Sequence, residues 1–332
     1  MRSFGMLDDG RSVEAITLGD ARGLQVEVLT YGAILRRLSF PVCGTRRDLI
    51  LHFGALDEYV RDRAYVGALV GRFGNRIADS RFTLDGRVHT LSANEGANHL
   101  HGGHLGFGKR LWRVLEPAAA QGNRVLLGLM SPDGEEGYPG TLDVTAELVV
   151  RTNALSITLS ARCTEPTPVN LTYHPYFNLT GDFSIPATRQ KLRIPAAHYL
   201  PVKAGLIPTG ELASVSGTTF DFRVARPLEP PAANSHPQLE LAGGYDHNWV
   251  LDADADCACE LSCRDLTLTM HGSGPGLQFY NGQFLSRSHP MLGSGVILEP
   301  QGFPDAPNHP AFPDSILRPG ETYRARIEYE LR

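Results

Sequence analysis

The chain has 332 residues and a formal net charge of -5, with 31 Lys and Arg against 36 Asp and Glu. Its arginines are scattered rather than clustered, which argues against a nucleic-acid binder and for a small neutral partner. No run of about 18 apolar residues occurs, so no membrane span is expected, and five cysteines in a chain long enough to bury a core argue against a disulfide framework.

Residues 1–10 lack the apolar core of a signal peptide, and the expectation is a soluble, cytoplasmic protein. Size alone suggests about two domains, but large all-β sandwiches exceed that scale as one unit, and a single domain over residues 1–332 is favoured. The one modest helix candidate lies around residues 55–60. Gly71-Arg72-Phe73-Gly74-Asn75-Arg76 superficially invites a phosphate-loop reading, but it does not fit G-x-G-x-x-G and no helix pattern follows. Arg76 reads instead as a fixed fork of donors for vicinal hydroxyls or a carboxylate. Phe82-Thr83-Leu84 and Arg87-Val88-His89-Thr90-Leu91 flank Asp85-Gly86, a pair that tolerates the positive φ of a type I′ hairpin turn.

Asn98-His99-Leu100-His101-Gly102-Gly103-His104 has His-x-His spacing, which on a strand puts both imidazoles on one face and fits the start of a metal site. The glycines fit equally a sharp turn in which one histidine donates to a ligand, and the bland reading is a polar loop. Apolar residues alternate at Leu142, Val144, Ala146, Leu148 and Val150 and again at Leu155, Ile157, Leu159 and Ala161, predicting a hairpin with one buried face.

In Asn170-Leu171-Thr172-Tyr173-His174-Pro175-Tyr176-Phe177-Asn178-Leu179 the proline pushes His174 into extended geometry at a strand end, between Tyr173 and Tyr176, whose flat rings suit a sugar face. Residues 214–237, rich in proline and small residues, read as a surface excursion that could border a cleft. Tyr245-Asp246-His247-Asn248-Trp249 joins a carboxylate to aromatic rings, or is a turn and strand with Trp249 in the core. Cys257, Cys259 and Cys263 lack the Cys-x-x-Cys spacing of structural zinc and read as strand residues. Gln278 in Leu277-Gln278-Phe279-Tyr280 could both donate to and accept from a sugar. Gly295-Val296-Ile297-Leu298-Glu299-Pro300 ends an apolar run in one carboxylate, and the alternation at Tyr323, Ala325, Ile327, Tyr329 and Leu331 predicts a last strand. His174 and Glu299 together suggest an acid and base pair. With 35 glycines and 23 prolines punctuating short strands, the expected class is all-β, a large antiparallel β-sandwich.

Taken in order, these motifs resemble those of the aldose 1-epimerases, the galactose mutarotase family. The matching pieces are Thr30-Tyr31-Gly32-Ala33, Gly71-Arg72 with Asn75-Arg76-Ile77-Ala78, Asn94-Glu95 with Asn98 through Gly103, Tyr173 through Leu179, Tyr245-Asp246-His247, Gln278-Phe279-Tyr280, Leu298-Glu299-Pro300-Gln301, and Leu317-Arg318-Pro319-Gly320-Glu321-Thr322-Tyr323. The resemblance implies a mutarotase-like sandwich with an open sugar-binding cleft, no cofactor and no metal, acting on the anomers of free monosaccharides such as galactose and glucose. It implies His174 as acid and Glu299 as base, with Asn75, Arg76, His101, Tyr176, Asp246 and Gln278 contacting the sugar. Phe73-Gly74 departs from the small or β-branched pair expected within its arginine motif, which touches fine positioning.

Glu299 would take the proton from O1 while a protonated His174, kept charged by a nearby carboxylate such as Asp246, gives one to the ring oxygen. His101 and Arg76 would stabilise charge developing on oxygen. The alternatives are a glycosidase pairing Glu299 with Asp246 or Asp305, a metal site on His99, His101 and Glu299, a sugar-binding protein without turnover, and a hexose-phosphate epimerase using Arg61, Arg63, Arg72 or Arg110. The expected assembly is a monomer or homodimer with neither nucleic acid nor membrane as partner.

Overall fold

A computed structural model describes residues 1–116, 122–229 and 236–332 of the chain, and antiparallel strands make up most of it. The architecture is a β-sandwich in which a nine-stranded and a six-stranded sheet predominate, with a five-stranded sheet built from Arg2–Met6 to Thr45–Asp48 beside them. The helices among the described residues are short: Leu56–Arg61, Pro237–Ala242 and Leu285–Ser288.

The long hairpin read from alternation is the spine of the larger sheet. Leu142–Val150 and Ala154–Cys163 pair in one unbroken register from Leu142 opposite Cys163 to Val150 opposite Leu155, and Tyr323–Leu331 adds along the second strand. The turn is tight because Arg151 N–H donates to the Ala154 carbonyl at 2.7 Å. Asp85-Gly86 likewise makes the predicted hairpin turn between Arg81–Leu84 and Arg87–Thr90, with φ of 49° and 78°. The six-residue helix Leu56–Arg61 falls where expected. The Glu58 carboxylate closes its start by accepting Ala55 N–H at 2.8 Å, and Lys109 Nζ caps its end on the Tyr59 carbonyl at 2.8 Å.

The six-stranded sheet positions the site. Its order runs Tyr176–Phe177, Val296–Gln301, Gly276–Tyr280, Asp246–Val250, His198–Leu200, Ala213–Ser214. Register pairs Tyr176 with Ile297, Glu299 with Gln278, Tyr280 with Asp246, and Gln278 with Asn248. Since side chains alternate between faces with a period of two, Tyr176, Glu299, Gln278, Tyr280 and Asp246 share one face. Phe177, Leu298, Leu277, Phe279 and Trp249 fall on the other face and join the main core, where Phe177 meets Tyr329 of the larger sheet with ring centroids 5.4 Å apart. Trp249 is fully buried with its Nε1–H on the Phe220 carbonyl, so the core reading holds for that residue. Glu299 lies inside its strand rather than at the end, since pairing continues to Gln301 opposite Gly276.

Residues 214–229 run over the surface as a loop, as read from the sequence, but the loop is anchored in the core. Val215, Phe220, Phe222 and Leu228 are fully buried, and Phe220 stacks on Tyr199 at 4.1 Å while Phe222 packs edge-on against Trp249 and Phe279. Burying a phenylalanine is worth about 1.5–3 kcal/mol, and two such rings anchor the loop. The rest of that stretch, residues 230–235, lies outside the described residues. Cys43, Cys163, Cys257, Cys259 and Cys263 are all unpaired thiols.

Candidate active site

The polar face of the six-stranded sheet floors a cavity of about 470 Å³. All eight residues picked out in the sequence line it: His174, Glu299, Asn75, Arg76, His101, Tyr176, Asp246 and Gln278. Tyr176, Glu299, Gln278 and Asp246 come from four neighbouring strands, whereas Asn75, Arg76, His101 and His174 arrive on loops or at strand ends.

His174 sits between Thr172–Tyr173 and Tyr176–Phe177, as the following proline requires. Its backbone is fixed on both sides, donating to the Ala68 carbonyl and accepting from Gly67 N–H, each at 3.0 Å. Its ring lies edge-on to His101 (5.1 Å) and Tyr176 (5.4 Å) and tilted against Tyr65 (5.8 Å). This buried, aromatic setting disfavours the imidazolium and pushes the pKa down to about 3. The expected carboxylate that would keep His174 charged is not among its described contacts, and Nδ1 has no hydrogen-bond partner there. Burial in this setting therefore favours the neutral imidazole of His174.

Glu299 is shifted the other way. Burial, reinforced by Asp246, holds its carboxyl well above the usual carboxylate range, and Oε1 is buried without a partner. Asp246 is also raised, by burial, although Arg76 draws it back. Gln278 Nε2 donates to Asp246 Oδ1 at 2.7 Å, while Gln278 Oε1 is buried and unpaired. Arg76 grips Glu95 through Nε and Nη2, both at 2.6 Å, and its Nη1 lies 3.9 Å from Asp246 Oδ2.

His101 has φ of 52° and accepts from Asn75 N–H at Nδ1 (3.2 Å). A backbone amide can only donate, so Nδ1 carries no proton and the ring proton is on Nε2. Burial, with His174 and Arg76 nearby, keeps this imidazole neutral. His101 is thus a fixed neutral donor.

Several alternatives lose their geometry. His99 does not stay beside His101; it is fully buried, with Nδ1 2.7 Å from the Ser92 carbonyl and Nε2 2.7 Å from the Tyr138 hydroxyl. Among the described residues no group of three or more His, Cys, Asp or Glu is arranged to hold a metal ion. Asp305 is occupied by Ala78 N–H, Asn308 and His309, away from the cavity lining. Arg72 is buried and spent on Ser131, Pro132 and Pro139. Arg110 pairs with Glu135 and Arg61 with Asp57, which leaves Arg63 as the one of those four arginines that lines the cavity. Tyr173 is also absent from the lining; it faces the core, fully buried, so of the two tyrosines flanking His174 it is Tyr176 that lines the cavity. The unusual Phe73 is explained by packing, since its ring is buried in a satellite core with Ile77, Phe82 and Phe303 that anchors the Asn75–Arg76 loop.

The sequence reading missed Tyr65, which packs on His101 at 4.6 Å and carries no pattern that would single it out. It also gave no role to Tyr280 or Glu95, both in the lining and both within quoted motifs. The arrangement as a whole offers one proton acceptor, one proton donor, a guanidinium and neutral donors around a space of monosaccharide size.

Comparison with known proteins shows what the chain as a whole is similar to. The aldose 1-epimerase family profile matches residues 14–330. The chain is similar to the aldose 1-epimerase of Escherichia coli K12, 39% identical over 97% of this chain and 96% of the relative, and to the galactose mutarotase of Bos taurus, 40% identical over 90% and 89%. Among solved structures it is similar to galactose 1-epimerase from Lactobacillus acidophilus, with a TM-score of 0.88 and 29% identity over 99% of this chain and 97% of that one. An aldose epimerase homologue from C. elegans gives a TM-score of 0.86 with 30% identity over 96% and 99%.

Proposed function

This chain belongs to the aldose 1-epimerase family and is an isomerase of aldose anomers, and we propose that His174 and Glu299 perform the two proton transfers by which a free hexose such as galactose or glucose opens and recloses. The observation that carries the assignment is the opposite displacement of two buried groups in one cavity, His174 toward the neutral base and Glu299 toward the neutral acid. Oppositely displaced titratable pairs are how a site sorts acid from base.

Ring opening removes the proton from O1 and delivers one to the ring oxygen. A carboxylate with an imidazolium, and a carboxylic acid with an imidazole, hold the same single proton. The first form opens the ring, leaving the second with the aldehyde, and rotation about C1–C2 followed by the reverse transfer gives the other anomer. Burial favours the second form in the protein alone, so the polar sugar itself must solvate the charge-separated form as it binds. The neutral His101 and the Arg76 guanidinium stabilise charge developing on oxygen, while Asp246, Gln278, Asn75 and Tyr176 orient the hydroxyls. Each positioned proton-transfer group supplies roughly 10²- to 10⁴-fold.

The reading extends to one domain, since a single apolar cluster draws on residues from Ile16 to Leu331. Unpaired thiols support a reducing compartment such as the cytoplasm, and no described helix is long and apolar enough to cross a membrane. A neutral monosaccharide is favoured over a sugar phosphate because Arg63 alone, among the four arginines considered, lines the cavity, with Glu95, Asp246 and Glu299 around it. The test is polarimetry on freshly dissolved α-D-galactose and α-D-glucose with wild type, Glu299→Ala and buffer. Fast relaxation with wild type alone supports the assignment; an equally active variant removes Glu299 from the chemistry.

A further inference from the structure

We infer that Glu95 is a positioning residue for this reaction, holding the Arg76 guanidinium so that one edge of it faces the bound sugar; the inference rests on the reading that Arg76 contacts substrate. Arg76 is buried in the cavity wall, and both oxygens of Glu95 are spent on it, one on Nε and one on Nη2, at 2.6 Å each. A guanidinium gripped at that edge cannot turn without breaking two charge-assisted hydrogen bonds. The remaining nitrogen, Nη1, is therefore held on the side of Asp246, 3.9 Å away, and Asp246 is itself tied to Gln278.

The loop carrying Glu95 is built to keep the carboxylate there. Glu95 and Asn98 exchange both backbone hydrogen bonds, at 3.0 and 3.1 Å, across a turn in which Gly96 takes φ of 60°. The Asn94 side chain clasps Leu100 from both sides, donating to its carbonyl (2.9 Å) and accepting from its N–H (2.7 Å). Leu100 pairs in turn with Arg76 across the short ladder of His99–Leu100 and Arg76–Ile77. Backbone pairing thus fixes the distance between the loop and the arginine, and the carboxylate fixes the orientation of the guanidinium.

Glu95 itself retains 36% side-chain exposure, but Arg76 is buried, so replacing the Glu95 charge leaves the guanidinium with Asp246, 3.9 Å away, as its remaining charge partner, and a thermal melt is needed to separate lost positioning from lost stability. A glutamine would present an NH₂ group to one of the Arg76 donors and lose the two-point grip. A displacement of about 1 Å in a positioned group can cost on the order of 100-fold in rate.

The experiment measures kcat and KM by polarimetry for wild type, Glu95→Gln, Glu95→Asp, Arg76→Ala and the Glu95→Gln/Arg76→Ala double variant, with a thermal melt of each to correct for folded fraction. Glu95→Gln is expected to lose about 10- to 100-fold in kcat/KM, mainly in kcat, and Glu95→Asp to recover part of it. The double variant is expected to be no worse than Arg76→Ala alone, since Glu95 acts through Arg76. Losses that multiply in the double variant, or full activity in Glu95→Gln, would overturn the inference. Wild-type activity in Arg76→Ala would instead sink the assignment of Arg76 as a sugar contact, and the inference with it.

Discussion

Gln278 and Glu299 stand directly opposite each other on neighbouring antiparallel strands, and each keeps a buried oxygen, Oε1 in both, without a hydrogen-bond partner among the described residues. An unsatisfied buried polar atom costs about 1–3 kcal/mol, so the sheet carries this cost at the floor of the cavity. Under the proposed function, hydroxyl donors of a bound sugar would relieve it, and the register of the two strands sets the spacing between the two acceptors.

The first prediction concerns pH. One proton shared by His174 and Glu299 is the active inventory, with the histidine depressed to about 3 and the carboxyl raised. kcat/KM should therefore show no acid limb at an ordinary histidine value, and its fall with rising pH, as Glu299 releases its proton, should lie above the usual carboxylate range. Glu299→Gln should lose roughly 10²- to 10⁴-fold. An acid limb centred at an ordinary histidine value would contradict the assignment.

Tyr65 supplies a second prediction. Its ring packs on both His101 and His174, at 4.6 and 5.8 Å, and helps keep water from them. In Tyr65→Ala the hydrated His174 should titrate closer to its unperturbed value, so that an acid limb enters the rate profile above that of the wild type. An unchanged profile in a folded variant would assign the desolvation of His174 to other neighbours.

Acid stability should be set in part by buried neutral histidines. His99 is held at about 4 and His247 at about 3, both by burial. Below the unfolded value near 6.5 the unfolded chain binds protons that the folded chain refuses, so stability is lost as pH falls from about 6.5 toward those values, at about 1.4 kcal/mol per pH unit for each such group. Urea unfolding at pH 7, 6 and 5 should show a shallower pH slope in His99→Gln than in wild type; equal slopes would count against this origin.

A fourth prediction separates the two faces of the six-stranded sheet. Trp249→Ala removes a fully buried ring from the core side and should cost about 3–5 kcal/mol of stability, read as a lower denaturant midpoint. At a temperature where the variant is folded, KM should remain near the wild-type value, because Asp246 and Gln278 face away from that ring. A large rise in KM would mean that core packing sets the site's register.

Much of this was legible in the chain itself. Alternation placed the hairpin of Leu142–Val150 and Ala154–Cys163 and the strand Tyr323–Leu331 because a half-buried strand repeats with the geometry of the backbone. His174 falls at a strand end just before Pro175, and Asp85-Gly86 makes its turn, because both effects act within one or two residues. The eight residues named from the resemblance of ordered motifs all lie around one cavity, together with others such as Tyr65 and Glu95 that it gave no role.

Only the tertiary structure decided the rest. Tyr173 and Tyr176 are neighbours in the same motif, yet one faces the core and the other the cavity, a choice fixed by strand pairing. The stretch from Ser214 is the loop its composition suggests, but its anchoring in the core depends on Phe220 and Phe222 meeting Tyr199, Trp249 and Phe279. The charge states of His174 and Glu299 follow from the removal of water by surrounding side chains, and the partnership of Arg76 with Glu95 from a loop closing back on a strand. Local sequence sets backbone geometry and the identity of each reactive group; desolvation and long-range pairing depend on what the rest of the chain brings alongside, and these determine how each group behaves.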